Sequence, residues 1–203
     1  MKSVGLAAIT IMALVGPAHA SVIPFLDNVS ADGSNFKFSY TGQLSPDEGV
    51  MNGSQLVIVD FSGYVPGTVF SSLANVTASV SNTLPAGLLL NPGFVDDAAI
   101  PDLVFTYNGP DFQTTGGPFP AIVNFGGLGA VSTLGGHVAG SFSTMAVRNV
   151  GSLAGTADFN VGQVSVPSAV PEPATWAMML VGFGGLGMML RKRKGDATSA
   201  LSA

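Results

Sequence analysis

The chain has 203 residues, no cysteine and a formal net charge of −5, with 7 Lys and Arg against 12 Asp and Glu. Without cysteine there is no disulfide staple and no thiolate metal site, and between Ser21 and Pro173 a single histidine, His137, is too few for a multi-histidine one. Between Ser21 and Pro173 only Lys37 and Arg148 stand against eleven acids, a surface that argues against nucleic acid and anionic lipid as partners.

Met1-Lys2 gives a positive start, Val4 to Val15 an apolar run, and Ala18-His19-Ala20 a small-x-small cleavage site before Ser21. Gly16-Pro17 would break a helix just before that site, where a peptidase needs extended chain. The expectation is a signal peptide over residues 1–20, cut by signal peptidase at Ala20–Ser21, on a chain exported across the inner membrane.

Residues 21–167 read as an extracellular, β-rich domain, long enough to bury a core. Phe36, Phe38 and Tyr40 alternate with Lys37 and Ser39, the period of a half-buried strand. Gln55 to Phe61 is an apolar run suited to a strand buried on both faces. The neighbourhood of Thr68 to Ala74 holds a helical turn at most. Val76, Ala78 and Val80 alternate again, as do Leu103, Phe105 and Tyr107 before the turn residues Asn108-Gly109-Pro110. Phe159 and Val161 share one parity and Val164 and Val166 the other, which suggests a bulge at Gly162. Turn residues punctuate the chain at Asp32-Gly33, Asn52-Gly53, Asn91-Pro92-Gly93, Gly116-Gly117-Pro118 and Gly135-Gly136. Short strands at this spacing, with no repeat of fixed period, predict an all-β fold, an antiparallel β-sandwich. Ser165 to Ala169 reads as linker leading into residues 168–173, which end in Pro171-Glu172-Pro173.

From Ala174 to Leu190 no residue is charged. As a helix rising ~1.5 Å per residue this stretch covers roughly 25 Å, slightly under the ~30 Å hydrocarbon layer. Trp176 suits one interface, and the Arg191-Lys192-Arg193-Lys194 cluster can snorkel at the other. The expectation is a single transmembrane helix over 174–190 and a basic cytoplasmic tail over 191–203. Gly182-Phe183-Gly184-Gly185-Leu186-Gly187 fits the dinucleotide pattern G-x-G-x-x-G but lies inside this span, without the strand and acid that pattern needs. Its glycines read better as close-packing sites against another membrane helix.

The ordered run of Pro171-Glu172-Pro173, Trp176-Ala177, an apolar span and Arg191 to Lys194 resembles the PEP-CTERM sorting signal in its P-E-P-x-x-W-A form. The resemblance covers about an eighth of the chain; the tail Gly195 to Ala203 is longer than the family's usual basic end. It implies an exported protein of a Gram-negative bacterium that makes exopolysaccharide, processed by exosortase, a membrane-embedded, cysteine-dependent transpeptidase. By the same resemblance Pro171, Glu172 and Pro173 are the recognition motif and Arg191, Lys192, Arg193 and Lys194 the stop-transfer cluster. More loosely, Asp60 to Gly67 and Leu103 to Gly109 resemble the extracellular parts of such proteins, whose domains have no agreed activity.

Chemistry is sparse. His137 could be combined with Ser132 or Ser141 on paper, but a solvated histidine is the ordinary reading. Asp96-Asp97 is an adjacent pair of aspartates in the domain, and neighbours in extended chain point opposite ways. Asp32-Gly33-Ser34-Asn35 reads as a turn, and no D-x-D-x-D-G calcium loop appears. The Asn28, Asn52 and Asn75 sequons are matches expected by chance. No catalytic residue, metal or cofactor is assigned, and the chain is not expected to be an enzyme. The expected role is structural or adhesive in the exopolysaccharide layer, with exosortase, signal peptidase, a transient inner-membrane stage and exopolysaccharide as partners. A carbohydrate-binding module using Tyr40, Tyr64 and Tyr107 is the alternative. A secreted hydrolase using His137 or Asp97 is a third reading.

Overall fold

With Gly33 at a φ of 62°, Gly33 and Ser34 reverse the chain and Asp32 pairs with Asn35, as the Asp-Gly turn predicts. The hairpin so closed joins β1 (Val22–Asp32) to β2 (Asn35–Leu44) in a computed structural model that describes residues 22–113 and 122–169. The remaining strands are β3 (Glu48–Val50), β4 (Gln55–Ile58), β5 (Phe70–Ser71), β6 (Val76–Ser81), β7 (Asp102–Tyr107), β8 (Phe112–Gln113), β9 (Val123–Ser132), β10 (Gly136–Arg148) and β11 (Ala157–Ser168). Among the described residues there is no helix, and every strand pairing is antiparallel. One sheet runs β1-β2-β9-β5; the other runs β6-β7-β4-β10-β3-β8, with β11 on the second edge of β10.

The two sheets share one core, an arrangement consistent with a β-sandwich. Phe38, Tyr40, Leu128 and Ala130 of the first sheet lie buried with Leu56, Ile58, Leu103, Phe105, Phe142, Val164 and Val166 of the second. Phe38 meets Phe61 edge-on at 5.6 Å between ring centres, a pair that contributes about 0.5–1.5 kcal/mol beyond burial. Polar bonds also cross between the sheets. The Tyr40 hydroxyl donates to the Ser165 carbonyl at 2.9 Å, and Thr144 Oγ1 and Asn160 Nδ2 donate to the Val22 carbonyl at 3.1 and 3.2 Å.

The strand expected over Gln55–Phe61 is buried on both faces, as read, but its ladder stops at Ile58. Leu56 and Ile58 enter the main core, while Val57 and Val59 join Val104 beneath Leu84, Leu88 and Leu90 of the long loop 82–101. That loop also corrects the reading of β7. Leu103 and Phe105 do face the core, but Val104 is buried too, because the loop covers its side of the sheet.

Three further expectations are overturned. Residues Phe70–Ser71 form a strand against Gly129 and Leu128, where at most a helical turn was expected. β11 has no bulge: its register against β10 runs unbroken through Gly162, which pairs with Phe142. The parity change arises because Val164 and Val166 face the core while Phe159 stands on the outer face, 38 % exposed. A Cβ on Gly162 would come within 2.7 Å of the Phe142 ring, so this glycine makes room for the ring opposite. Finally, Ser165 to Ser168 belongs to β11, with Val166 and Pro167 buried, and is not linker. A register shift does occur where β2 meets β9: Tyr40 faces Leu128 but Gly42 faces Phe125, and Gly127 takes a φ of 80°.

Candidate functional site

Beside the small cluster under loop 82–101 lies a group of three carboxylates. Asp60 follows the end of β4, Asp96 belongs to the loop, and Asp102 opens β7 on the same side of the strand as Val104. One oxygen from each lies within 4.8 Å of the others. Asp60 adopts a φ of 56°, the left-handed region that Asp tolerates better than most residues, and so turns its N–H onto Asp102 Oδ1 at 2.9 Å. The Leu84 N–H donates to Asp96 Oδ2 at 2.7 Å, and the Asp97 N–H to Asp60 Oδ1 at 3.0 Å. Asp102 is fully buried, and its Oδ2 has no hydrogen-bond partner; Asp96 Oδ1 is also buried and unpartnered. Burial, only partly offset by the bond from Asp60, pushes the Asp102 carboxyl up to about 6, with the Asp96 and Asp60 charges adding to the rise. Burial raises Asp60 as well.

Sequence reasoning weighed Asp96 with Asp97 and did not join Asp96 to Asp60 and Asp102. Asp97 does turn away, accepting from the Ala99 N–H at 3.0 Å. The real trio is assembled by tertiary packing across 42 residues, for which a single sequence gives no spacing signal.

A second acidic group lies where β3, β10 and β11 meet. Glu48 is fully buried and pairs with Arg148 in the ladder, and Arg148 Nη2 holds Asp158 Oδ1 at 3.3 Å. Burial raises the Glu48 carboxyl to about 8, reinforced by a hydrogen bond and charge from Asp158 and by charge from Asp47, against the opposing Arg148. In the unfolded chain Glu48 ionises near 4.5. The fold therefore holds a proton that the unfolded chain has released, and this stabilisation is full below pH 4.5 and lost as pH rises towards 8. Asp102 acts in the same direction but has ionised by about 6. Urea midpoints measured from pH 5 to 8.5 should therefore fall, and Glu48→Gln should flatten the part above pH 6. An unchanged slope in Glu48→Gln would remove the assignment.

The remaining candidates are not brought together. His137 is exposed on β10 opposite Pro167. Ser141, four residues along the same strand, is roughly 13 Å away at ~3.3 Å per residue. Ser132 is buried, donating to the Ser62 carbonyl at 2.8 Å and accepting from the Leu134 N–H at 3.0 Å. Of the three tyrosines considered for sugar stacking, Tyr40 is fully buried and cannot serve, a correction to that reading. Tyr64 and Tyr107 are partly exposed.

The sorting elements Ala18, Ala20, Ser21, Pro171, Glu172, Pro173, Trp176, Ala177 and Arg191 to Lys194, and the expected span 174–190, lie outside the described residues. Among the described residues no helix is long and apolar enough to cross a membrane. What the fold does give is the point of departure: β11 ends at Ser168, three residues before Pro171. From there onward residues 169–194 match the family model of the PEP-CTERM protein-sorting motif. The chain carries a PEP-CTERM sorting motif. This matched range includes the P-E-P triplet, Trp176-Ala177 and the four-cation cluster. A PEP-CTERM motif marks an exported protein that is membrane-anchored before processing and has an exosortase-type enzyme as its partner. No curated protein matches the chain.

Proposed function

We propose that this chain is a cell-surface or extracellular-matrix protein of a Gram-negative bacterium, structural or adhesive in the exopolysaccharide layer, released from its membrane anchor by exosortase. The observation that carries this reading is the PEP-CTERM motif beginning directly after the last strand of an all-β, acidic domain. In it, Ala18 and Ala20 guide signal peptidase to Ser21, Pro171 to Pro173 are the exosortase recognition element, and 174–190 is the span held by Arg191 to Lys194. The two prolines favour extended backbone around Glu172 and withhold N–H donors, which leaves the triplet accessible to an enzyme. A carbohydrate-binding role is a narrower alternative with Tyr40 removed from its candidates, and a glycan array tests it.

Terminal peptide mapping of protein recovered from the extracellular fraction tests the reading. The N-terminal peptide should begin at Ser21, and no peptide should contain Trp176. Met1 at the N-terminus would overturn the secretory route; Trp176 in the matrix fraction would reduce the tail to a plain anchor.

A further inference from the structure

We propose that Asp60, Asp96 and Asp102 form a binding site for one calcium ion that ties loop 82–101 to the sheet beneath it. The donor set is all carboxylate oxygen, which suits a hard cation and not a thiophilic one. Oxygens at 2.3–2.6 Å from Ca²⁺ can stand up to about 5 Å apart across the ion, and these three fall within 4.8 Å of one another.

Proximity of acids alone would not make a site. The further observation is Asp102, whose side chain is fully buried while Oδ2 lacks any hydrogen-bond partner, with Asp96 Oδ1 in the same condition. A buried carboxylate oxygen without a donor is costly, and a cation is one of the few groups that satisfies two at once. Among the described residues no basic side chain serves here. Lys37 Nζ lies 4.4 Å over the Phe70 ring, and Arg148 is engaged by Asp158. The charges acting on Asp102 are those of Asp96 and Asp60, both negative. The other oxygen of Asp102 is already fixed by the Asp60 N–H, Leu84 N–H fixes Asp96 Oδ2 and Asp97 N–H fixes Asp60 Oδ1, so all three side chains are oriented before any ion arrives. Asp60 and Asp96 are partly exposed, so water can reach this side of the trio and complete the six to eight ligands that Ca²⁺ takes.

The test is equilibrium dialysis of the full-length chain in detergent, stripped with chelator, against ⁴⁵Ca²⁺. One ion should bind per chain, with Kd in the roughly 10⁻⁴–10⁻³ M range of extracellular calcium modules. The thermal midpoint should rise with CaCl₂ and saturate over the same range. Asp102→Asn and Asp96→Asn should each weaken binding at least about tenfold, because affinity follows ligand charge. Asp111→Asn, which removes an exposed charge elsewhere, should bind like the parent. Should Asp102→Asn fail to fold, Asp96→Asn on the half-exposed side gives the same answer. Absence of saturable binding in the parent overturns the proposal, as does binding that Asp96→Asn and Asp111→Asn leave equally unchanged.

Discussion

A chain bearing Glu172→Ala should accumulate in the inner membrane with Ala174 to Ala203 still attached, and the processed extracellular form should fall from the main species to a trace. The reason lies in the motif's chemistry. Between Pro171 and Pro173, Glu172 offers the only charge in the triplet, so an enzyme reading the motif at the membrane face has one ionic contact to use. Deleting Arg191 to Lys194 tests a different function and should give a different phenotype. On the proposed reading the four cations supply the span's stop-transfer and orienting charge, so without them uncut chain should escape the membrane fraction. Immunoblots of membrane and extracellular fractions, with mass analysis of the C-terminal peptide, separate the two outcomes. Normal processing of Glu172→Ala would remove the triplet from the recognition step.

Phe38→Ala should cost about 3–5 kcal/mol, the usual loss for emptying a fully buried aromatic site. Domains of this kind hold only about 5–15 kcal/mol in total, so much of the variant should be unfolded or degraded. The position is unforgiving because Phe38 is fully buried in the shared core and carries the edge contact to Phe61. Phe159→Ala is the matched control: the same chemistry on the outer face of β11, where 38 % exposure limits the expected loss to about 1–2 kcal/mol. Urea midpoints of the mature protein measure both. Equal losses at the two positions would contradict the assignment of inner and outer faces.

The strands legible in the sequence were those whose own side chains carry the alternation. Whereas β4 reads as an unbroken apolar run and was legible as a strand buried on both faces, Phe38 and Tyr40 in β2 and Leu103 and Phe105 in β7 declare their inward face directly. β9 and β10 did not, because glycine and serine occupy much of their length and the apolar volume is supplied from across the ladder. The Phe70 ring lies over Gly129, its partner on β9, and Phe125 likewise lies over Gly42. Reading either strand alone shows half of each pair. The apparent bulge at Gly162 has the same origin, since Phe142 fills the space that a side chain there would need. The double burial of β7 was hidden for another reason: its cover is a loop without periodicity, held by Leu84, Leu88 and Leu90. The carboxylate trio depends on that cover as well, and so on three segments that only the fold brings together.

The reach of β11 to Ser168 sets the clearance available to whatever handles the tail. From Ser168 to Pro171 an extended chain covers at most roughly 10 Å. That is no more than the ~10–12 Å diameter of one helix with its side chains. An enzyme gripping the triplet therefore works in the shadow of the domain, with the sheet as a wall on its outer side. Opening the final rungs, Ser168 with Gly136 and Pro167 with His137, would lengthen that reach. On the proposed reading, with the span starting at 174, the same short tether would hold the domain's lower edge close to the membrane while the chain awaits cleavage, and the pairing of the last strand would become part of how the substrate is presented.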